Sequence, residues 1–300
     1  VPQQRQQAGL VLVSTPIGNL GDMSARGVEA LRQASLILCE DTRVTAKLLR
    51  HFGISGRMVA LHDHNEAARI PEILGVLRDG ATVTLVSDAG TPLLSDPGYR
   101  LVRAAIEADL PVTATPGANA ALMALTLSGL PPHPYLFAGF LPPRAAARQA
   151  ALAGLRAAEQ AGLAATLVFY ESPHRTAETL AAMALVFGPR PAAVARELTK
   201  LFEEVRRDTL PALAAYYEAQ PPRGEICIVV GPAPEEGADG ERIDAMLKEA
   251  LSVMSVREAA ASVAEASGVS RKEVYRRALT LAQGREESSF SEEKDAKRLL

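Results

Sequence analysis

The chain has no tryptophan, and its phenylalanines and tyrosines amount to only 4% of residues. A platform that stacks unpaired bases has little to draw on in such a composition. Cysteine is scarce too. Cys39 and Cys227 lie far apart, each in an apolar stretch, which excludes a disulfide framework and a CxxC metal knuckle. Both read as small core residues and fit a reducing cytoplasm. There is no excess of positive charge: 32 Lys and Arg stand against 35 Asp and Glu, a net charge of −3. That excludes a uniformly basic coat for duplex nucleic acid but leaves room for a local basic patch. No run reaches the ~18 apolar residues of a membrane span. Neither GxGxxG nor GxxxxGK[ST] occurs, so the familiar glycine-rich phosphate cradles are missing.

What is present suits a globular protein of more than one domain: 300 residues, 48% hydrophobic and 22% charged. Residues 1–9 read as a disordered arm. From 10 to 130, short apolar runs alternate with amphipathic stretches. Strands are expected at Leu10–Ser14, Leu36–Glu40, Met58–Leu61, Thr82–Ser87 and Val112–Thr115, with helices near 25–34, 44–51, 66–79, 98–108 and 119–128. Continuous Val/Leu/Ile strands between helices predict a mostly parallel α/β sheet covered on both faces. Gly53, Gly80 and Gly129 stand at expected helix ends, and Asp96-Pro97 reads as a helix start. A proline-rich crossover with a strand near Leu136–Phe140 opens a second α/β domain over 131–231. Its further strands fall near Thr166–Tyr170, Ala192–Glu197 and Ile226–Val230, and its helices near 145–161, 174–186 and 211–219. Residues 232–240 form a Pro/Gly/acid linker. Residues 241–283 are a helical module of helix-turn-helix type, with capping boxes at Ser255/Glu258 and Ser270/Glu273. Residues 284–300 read as a disordered tail.

Loops at strand ends carry the chemistry. TPIGNL follows the first strand, EDTR the second, SDAGTPLLSDPG the fourth and TPGAN the fifth. In an open parallel sheet, ligands bind beyond the carboxyl ends of the strands. Between Ser87 and Gly98 stand Asp88 and Asp96 and no Lys or Arg. Such a crevice suits a ligand with hydroxyls, amines or positive charge, a sulfonium cofactor included, rather than a nucleoside triphosphate. In the second domain FYESPHR and ARELTK follow buried strands. Their charges, Glu171, Arg175, Arg196, Glu197 and Lys200, mark either a site or an ion-pair cluster joining Arg196 to Glu171 or Glu197. His62 and His64, with nearby carboxylates, could ligate a metal. An Asn/Glu cap on the next helix accounts for part of that pattern, and no metal is assigned.

The ordered set STPIGNLG, CEDTRV, LHDHNEA, VSDAGTPLLSDPGYR, VFYESPHRT and VARELTKL, with Gly224-Glu225, resembles the ribosomal RNA small subunit methyltransferase I family of the tetrapyrrole methylase superfamily. The resemblance runs from about Leu10 to Gly231, and the helical module resembles that family's C-terminal domain. It implies two α/β domains, the second with a mixed sheet, around a cleft for S-adenosylmethionine, in a cytoplasmic homodimer. The implied activity is 2′-O-methylation of a decoding-centre cytidine in 16S rRNA within the small ribosomal subunit. Carried over by motif, Pro16, Gly18, Asp88, Ala89, Gly90, Thr91, Asp96, Pro116, Gly117, Ala118, Tyr170 and Glu225 would line the cofactor site. Glu171, Glu197 and Lys200 are the candidates for assisting the ribose hydroxyl. Asn19, Arg43, His62, His64, Arg144, Arg148, Arg175 and Arg196 would contact RNA. So would Arg271, Lys272, Arg276 and Arg277 of the helical module. Two other readings stay open: methylation of a tetrapyrrole precursor, and a non-enzymatic nucleic-acid-binding regulator.

Overall fold

The computed structural model describes residues 8–234 and 238–282. They fall into two compact units, one ending at Ala233 and the other beginning at Pro234. Most of the expected N-terminal arm (1–7), part of the linker (235–237) and the tail lie outside the described residues; Gly9, assigned to the arm, opens the first strand.

The first unit holds two sheets. Strands β1 (Gly9–Val13), β2 (Leu36–Cys39), β3 (Met58–Ala60), β4 (Thr82–Val86) and β5 (Val112–Thr115) form a parallel sheet in the order β3-β2-β4-β1-β5. Period-two alternation splits each strand between two apolar layers. Val11, Val13, Ile37 and Cys39 pack under Leu31 of α1 (Ala25–Gln33) and Leu48 of α2 (Thr42–His51). Leu10, Leu36, Leu38 and Leu85 pack under Ile73 of α3 (Glu66–Arg78) and Leu101 of α4 (Tyr99–Glu107). Covering helices on both faces are what permit strands this apolar.

Helix α4 starts later than Asp96-Pro97 suggests. Its N-cap is Gly98, and no side chain of its own caps it. Instead the buried carboxylate of Glu66 accepts from the Leu101 amide at 2.9 Å, so an acid on α3 satisfies one of the free amides of α4. Asp96 is left to face the crevice. Asn65 likewise does not cap α3. Its side chain accepts from the His62 amide and donates to the Ala60 carbonyl, bracing the turn after β3.

Helix α5 (Ala120–Ser128) is apolar nearly all round, and it packs on the second sheet while Leu122 and Met123 stay exposed. Its Ala121, Ala124 and Leu125 pack against Val168, Ala193, Ala195, Cys227 and Val229 of the second sheet. That sheet holds β6 (Tyr135–Phe140), β7 (Thr166–Glu171), β8 (Pro191–Arg196), β9 (Glu204–Thr209) and β10 (Ile226–Val230), ordered β6-β7-β10-β8-β9. Only β6 and β7 are parallel; the other pairs run antiparallel. Helices α6 (Ala145–Gln160), α7 (Thr176–Phe187) and α8 (Leu210–Ala219) supply Leu152, Leu180, Met183 and Leu213 to the core on its far face. Strand β9 escapes the sequence reading because Val205 is its one large apolar residue. It is an edge strand, where charge is expected. Its Arg207 donates to the Leu127 and Ser128 carbonyls at the end of α5.

The second unit packs α9 (Ala238–Ala250), α10 (Val256–Ser267) and a helix over 271–282 around Leu247, Ala260, Val263 and Val274. Ser255 and Glu258 form a reciprocal capping box, and Gly268 closes α10 in the left-handed conformation. No helix among the described residues is long and apolar enough to cross a membrane.

Candidate functional site

The loops after β1, β4 and β5 are knitted into one rim. Thr15 and Gly90 exchange backbone hydrogen bonds of 2.9 and 3.1 Å. The Ser87 hydroxyl donates to the Gly90 carbonyl (2.8 Å), and the Thr91 hydroxyl to the Ala118 carbonyl (3.1 Å). Asn119 donates to Thr91 and caps α5 by accepting from the Leu122 amide, which fixes the Pro116–Ala118 turn. The loop after β2 joins through the Asp41 amide, 3.0 Å from an Asp88 oxygen. Pro16, Asp88, Ser87, Leu20 and Val44 line a pocket of about 200 Å³, with Lys47 also on its wall. Within the long loop, Leu93 and Ser95 hold φ near +70°, a conformation that side chains avoid and that clusters at functional sites.

This rim is acidic, and Lys47 on the pocket wall makes no salt bridge with its carboxylates among the described residues. Burial, with Glu40 and Asp88 adding like charge, pushes the Asp96 carboxyl up to about 7. Glu40 is raised as well, by burial and then by Asp88 and Asp63. Among the described residues none of Glu40, Asp88 and Asp96 makes a salt bridge, and a cationic ligand would relieve the repulsion. Glu40 was not singled out from the sequence, although EDTR contains it. Its neighbour Asp41 is instead held down to about 2 by hydrogen bonds from the exposed Arg43.

The opposite rim, at the ends of β7, β8 and β10, is rich in ion pairs. Glu171 is buried and accepts from the Ser172 amide (2.7 Å), from Arg175 Nε and Nη2 (2.8 and 2.5 Å) and from the Thr179 hydroxyl (2.6 Å). With both oxygens engaged, it offers no free face for proton abstraction. Arg175 is correspondingly not a free clamp. Arg196 pairs with Glu204 at 3.0 Å, not with Glu171 or Glu197, because β9 lies against β8. Lys200 reaches Glu197 (2.8 Å) and Glu225 (3.2 Å). Burial alone would lower the Lys200 ammonium, but hydrogen bonds and charge from the two carboxylates outweigh it and hold it above its ordinary value. Glu197 is lowered in return, chiefly by its hydrogen bond from Lys200.

The two rims touch at Gly18. A Cβ there would stand 2.3 Å from Lys200 Cγ, so a side chain would displace the lysine. Tyr170, on β7, feels charge from both rims. Burial, with Cys227 and then Asp96 and Glu225 adding negative charge, pushes its hydroxyl up to about 12.

Other expected site residues are scattered. Asn19 caps the short turn Leu20–Asp22. His62 and His64 have ring centroids 6.1 Å apart, and no group of three metal-binding side chains occurs among the described residues. Arg148 is buried and pairs with Glu178, so it is a strut of the second lobe and not a surface contact. Arg144 is exposed at the N-cap of α6. In the second unit Arg277 is tied to Asp244 at 2.9 Å, whereas Arg271, Lys272 and Arg276 are exposed. Burial pushes the Cys227 thiol up to about 12, in keeping with an inert core residue.

Residues 9–214 match the family described as Tetrapyrrole (Corrin/Porphyrin) Methylases, and residues 236–282 match the RsmI C-terminal HTH domain. The chain is 46% identical over 283 residues to a Mesorhizobium japonicum protein named ribosomal RNA small subunit methyltransferase I, covering 94% of this chain and 95% of that one. It is 50% identical over 273 residues to a protein of the same name from Erythrobacter litoralis, covering 91% and 95%. A crystal structure of diphthine synthase superposes with a TM-score of 0.56 at 17% identity, over 74% of this chain and 89% of that one. The methyltransferase CobJ gives 0.54 at 18% identity, over 75% and 95%; at such identities the likeness is one of fold.

Proposed function

Because the chain belongs to the ribosomal RNA small subunit methyltransferase I family, within the tetrapyrrole methylases, we propose that it methylates 16S rRNA. The methyl group comes from S-adenosylmethionine, and the acceptor is the ribose 2′-oxygen of a decoding-centre cytidine in the small ribosomal subunit. The observation that carries the reading is the first rim: Glu40, Asp88 and Asp96 crowd a glycine-punctuated mouth without a salt-bridge partner among the described residues. That donor set fits a ligand bearing a sulfonium and an amine, and not a polyphosphate. Bound there, S-adenosylmethionine supplies an electrophilic methyl on a positively charged sulfur. Asp88 and Asp96 would meet its cationic groups. Ala89, Gly90 and Thr91 would give it backbone and hydroxyl contacts. Pro16, Gly18 and the Pro116–Ala118 turn would shape the wall, with Tyr170 and Glu225 facing it from the second lobe.

The chain's own contribution is chiefly placement. Holding the ribose oxygen in line with its target can supply ~7–11 kcal/mol of the barrier. A ribose hydroxyl is a weak nucleophile, but this rim supports an electrostatic aid better than a strong base. Lys200 is kept charged by Glu197 and Glu225. Its ammonium beside the ribose would stabilise the developing alkoxide, with the hydroxyl proton released to water. Lys200→Met should therefore lower kcat at constant donor affinity, and Lys200→Arg should restore part of it. The deciding experiment maps ribose methylation in 16S rRNA from cells with and without the protein, alongside calorimetry with S-adenosylmethionine. An unchanged methylation map, or no donor binding, would refute the proposal.

A further inference from the structure

Three of the chain's few aromatic rings form a ladder on one face of the second sheet. Phe137 meets Tyr170 edge-on at 4.8 Å between centroids, and Phe140 meets it at 5.6 Å in a tilted arrangement. In a regular strand, residues three apart point to opposite faces. Here β6 carries a bulge between Phe137 and Gly139, where φ of Gly139 is +64°. The extra residue brings Phe140 back into register opposite Tyr170, on the face that packs towards the first lobe. Phe137 sits inside the ladder, but Phe140 remains 55% exposed at its outer end. The acidic loop is close by, since a Cβ on Gly139 would stand 3.4 Å from Ser95 Oγ.

This lip is held rigidly. Leu141, next to Phe140, is buried, and its carbonyl accepts from Arg175 Nη2 at 3.1 Å. Arg175 is fixed by Glu171, which Thr179 fixes in turn. Pro142 and Pro143 then carry the chain stiffly to Arg144, which is exposed and makes no ion pair among the described residues. An open aromatic face on a braced strand, followed by a free guanidinium, matches the chemistry of a nucleotide: a base to stack and a phosphate to pair.

We propose that Phe140 is the stacking platform for a base of the RNA substrate and that Arg144 meets the adjoining phosphate. This rests on the reading of the protein as an rRNA methyltransferase and adds the residues that position the nucleotide. Under it, Glu171 and Arg175 are positioning residues acting through Leu141.

The test uses the full-length protein, with small subunits from cells lacking it as acceptor and S-adenosylmethionine as donor. Phe140→Leu keeps apolar bulk without an aromatic face. It should raise KM for subunits roughly tenfold, in the range expected for one lost base–aromatic stack. Phe140→Tyr should stay within about threefold of wild type on the same grounds. Donor affinity by calorimetry and the melting midpoint should not move in either variant. Arg144→Gln should weaken subunit binding and reduce the slope of log affinity against log salt by roughly one. Wild-type KM in Phe140→Leu would overturn the assignment, as would a loss confined to donor affinity, which would place the ring on the donor instead. Absence of transfer by the wild-type protein would overturn the broader reading and this one with it, and that arm separates the two failures.

Discussion

The two rims of the cleft use their charged residues differently. On the first rim, Glu40, Asp88 and Asp96 are crowded, partly desolvated and unpaired, and the proton affinity of Asp96 rises accordingly. On the second, four carboxylates have a cation: Glu171 with Arg175, Glu204 with Arg196, Glu197 and Glu225 with Lys200. Charge left uncompensated in a folded protein is costly unless a ligand completes it, whereas compensated charge holds loops in place. Under the proposed function the first rim would be the half that binds, and the second the half that positions.

The strongest test of this contrast is Glu171→Ala. It strands a largely buried Arg175 and should cost about 3–5 kcal/mol of stability in urea unfolding. A loss of kcat with both stability and KM for subunits unchanged would instead make Glu171 catalytic. Next comes the first rim. Asp88→Asn and Asp96→Asn should each weaken S-adenosylmethionine binding roughly tenfold, as expected for a lost charge-assisted contact, with little change in melting temperature. Calorimetry reads the affinity, and unfolding rather than weaker binding would reverse the roles of the rims.

A smaller effect follows from pH. The Asp96 carboxyl moves from its ordinary 3.8 to about 7 in the folded protein. The native state thus holds this proton more tightly than the unfolded chain does. The resulting stabilisation is complete below the ordinary value and is lost as pH rises through about 7. Donor affinity should run the other way, rising through the same range as the carboxylate forms. Both trends should flatten in Asp96→Asn relative to wild type, in melting and calorimetric titrations from pH 5 to pH 8; identical profiles would show that Asp96 does not titrate there. The smallest effect is expected at Arg43, whose pair with Asp41 lies open to solvent. Arg43→Gln should leave the melting midpoint where it is.

Much of this architecture is legible in the chain itself. Periodicity locates nine of the ten strands among the described residues, because buried strands are short apolar runs and helices repeat at 3.6 residues. The strand left out, β9, has the composition of a loop. The loops of the first rim are equally readable, since each carries its glycines, prolines or acids in one short stretch after a strand. Pairing on the second rim is not. Residues such as Arg196 and Glu204 become partners only when β8 and β9 lie side by side. Arg148 looks like a surface cation until α6 and α7 enclose it. Phe140 is one phenylalanine among seven until a bulge turns it onto the face of Tyr170.

The sequence by itself determined the elements of the first sheet in chain order, the placement of the acidic loops at strand ends, and the resemblance to the family. Those properties follow from residue type and local spacing. Tertiary structure alone decided which charges are neutralised, which rings face the cleft and which carboxylates keep their protons. Ion pairing, stacking and desolvation all depend on distances between residues that the chain keeps far apart until it folds.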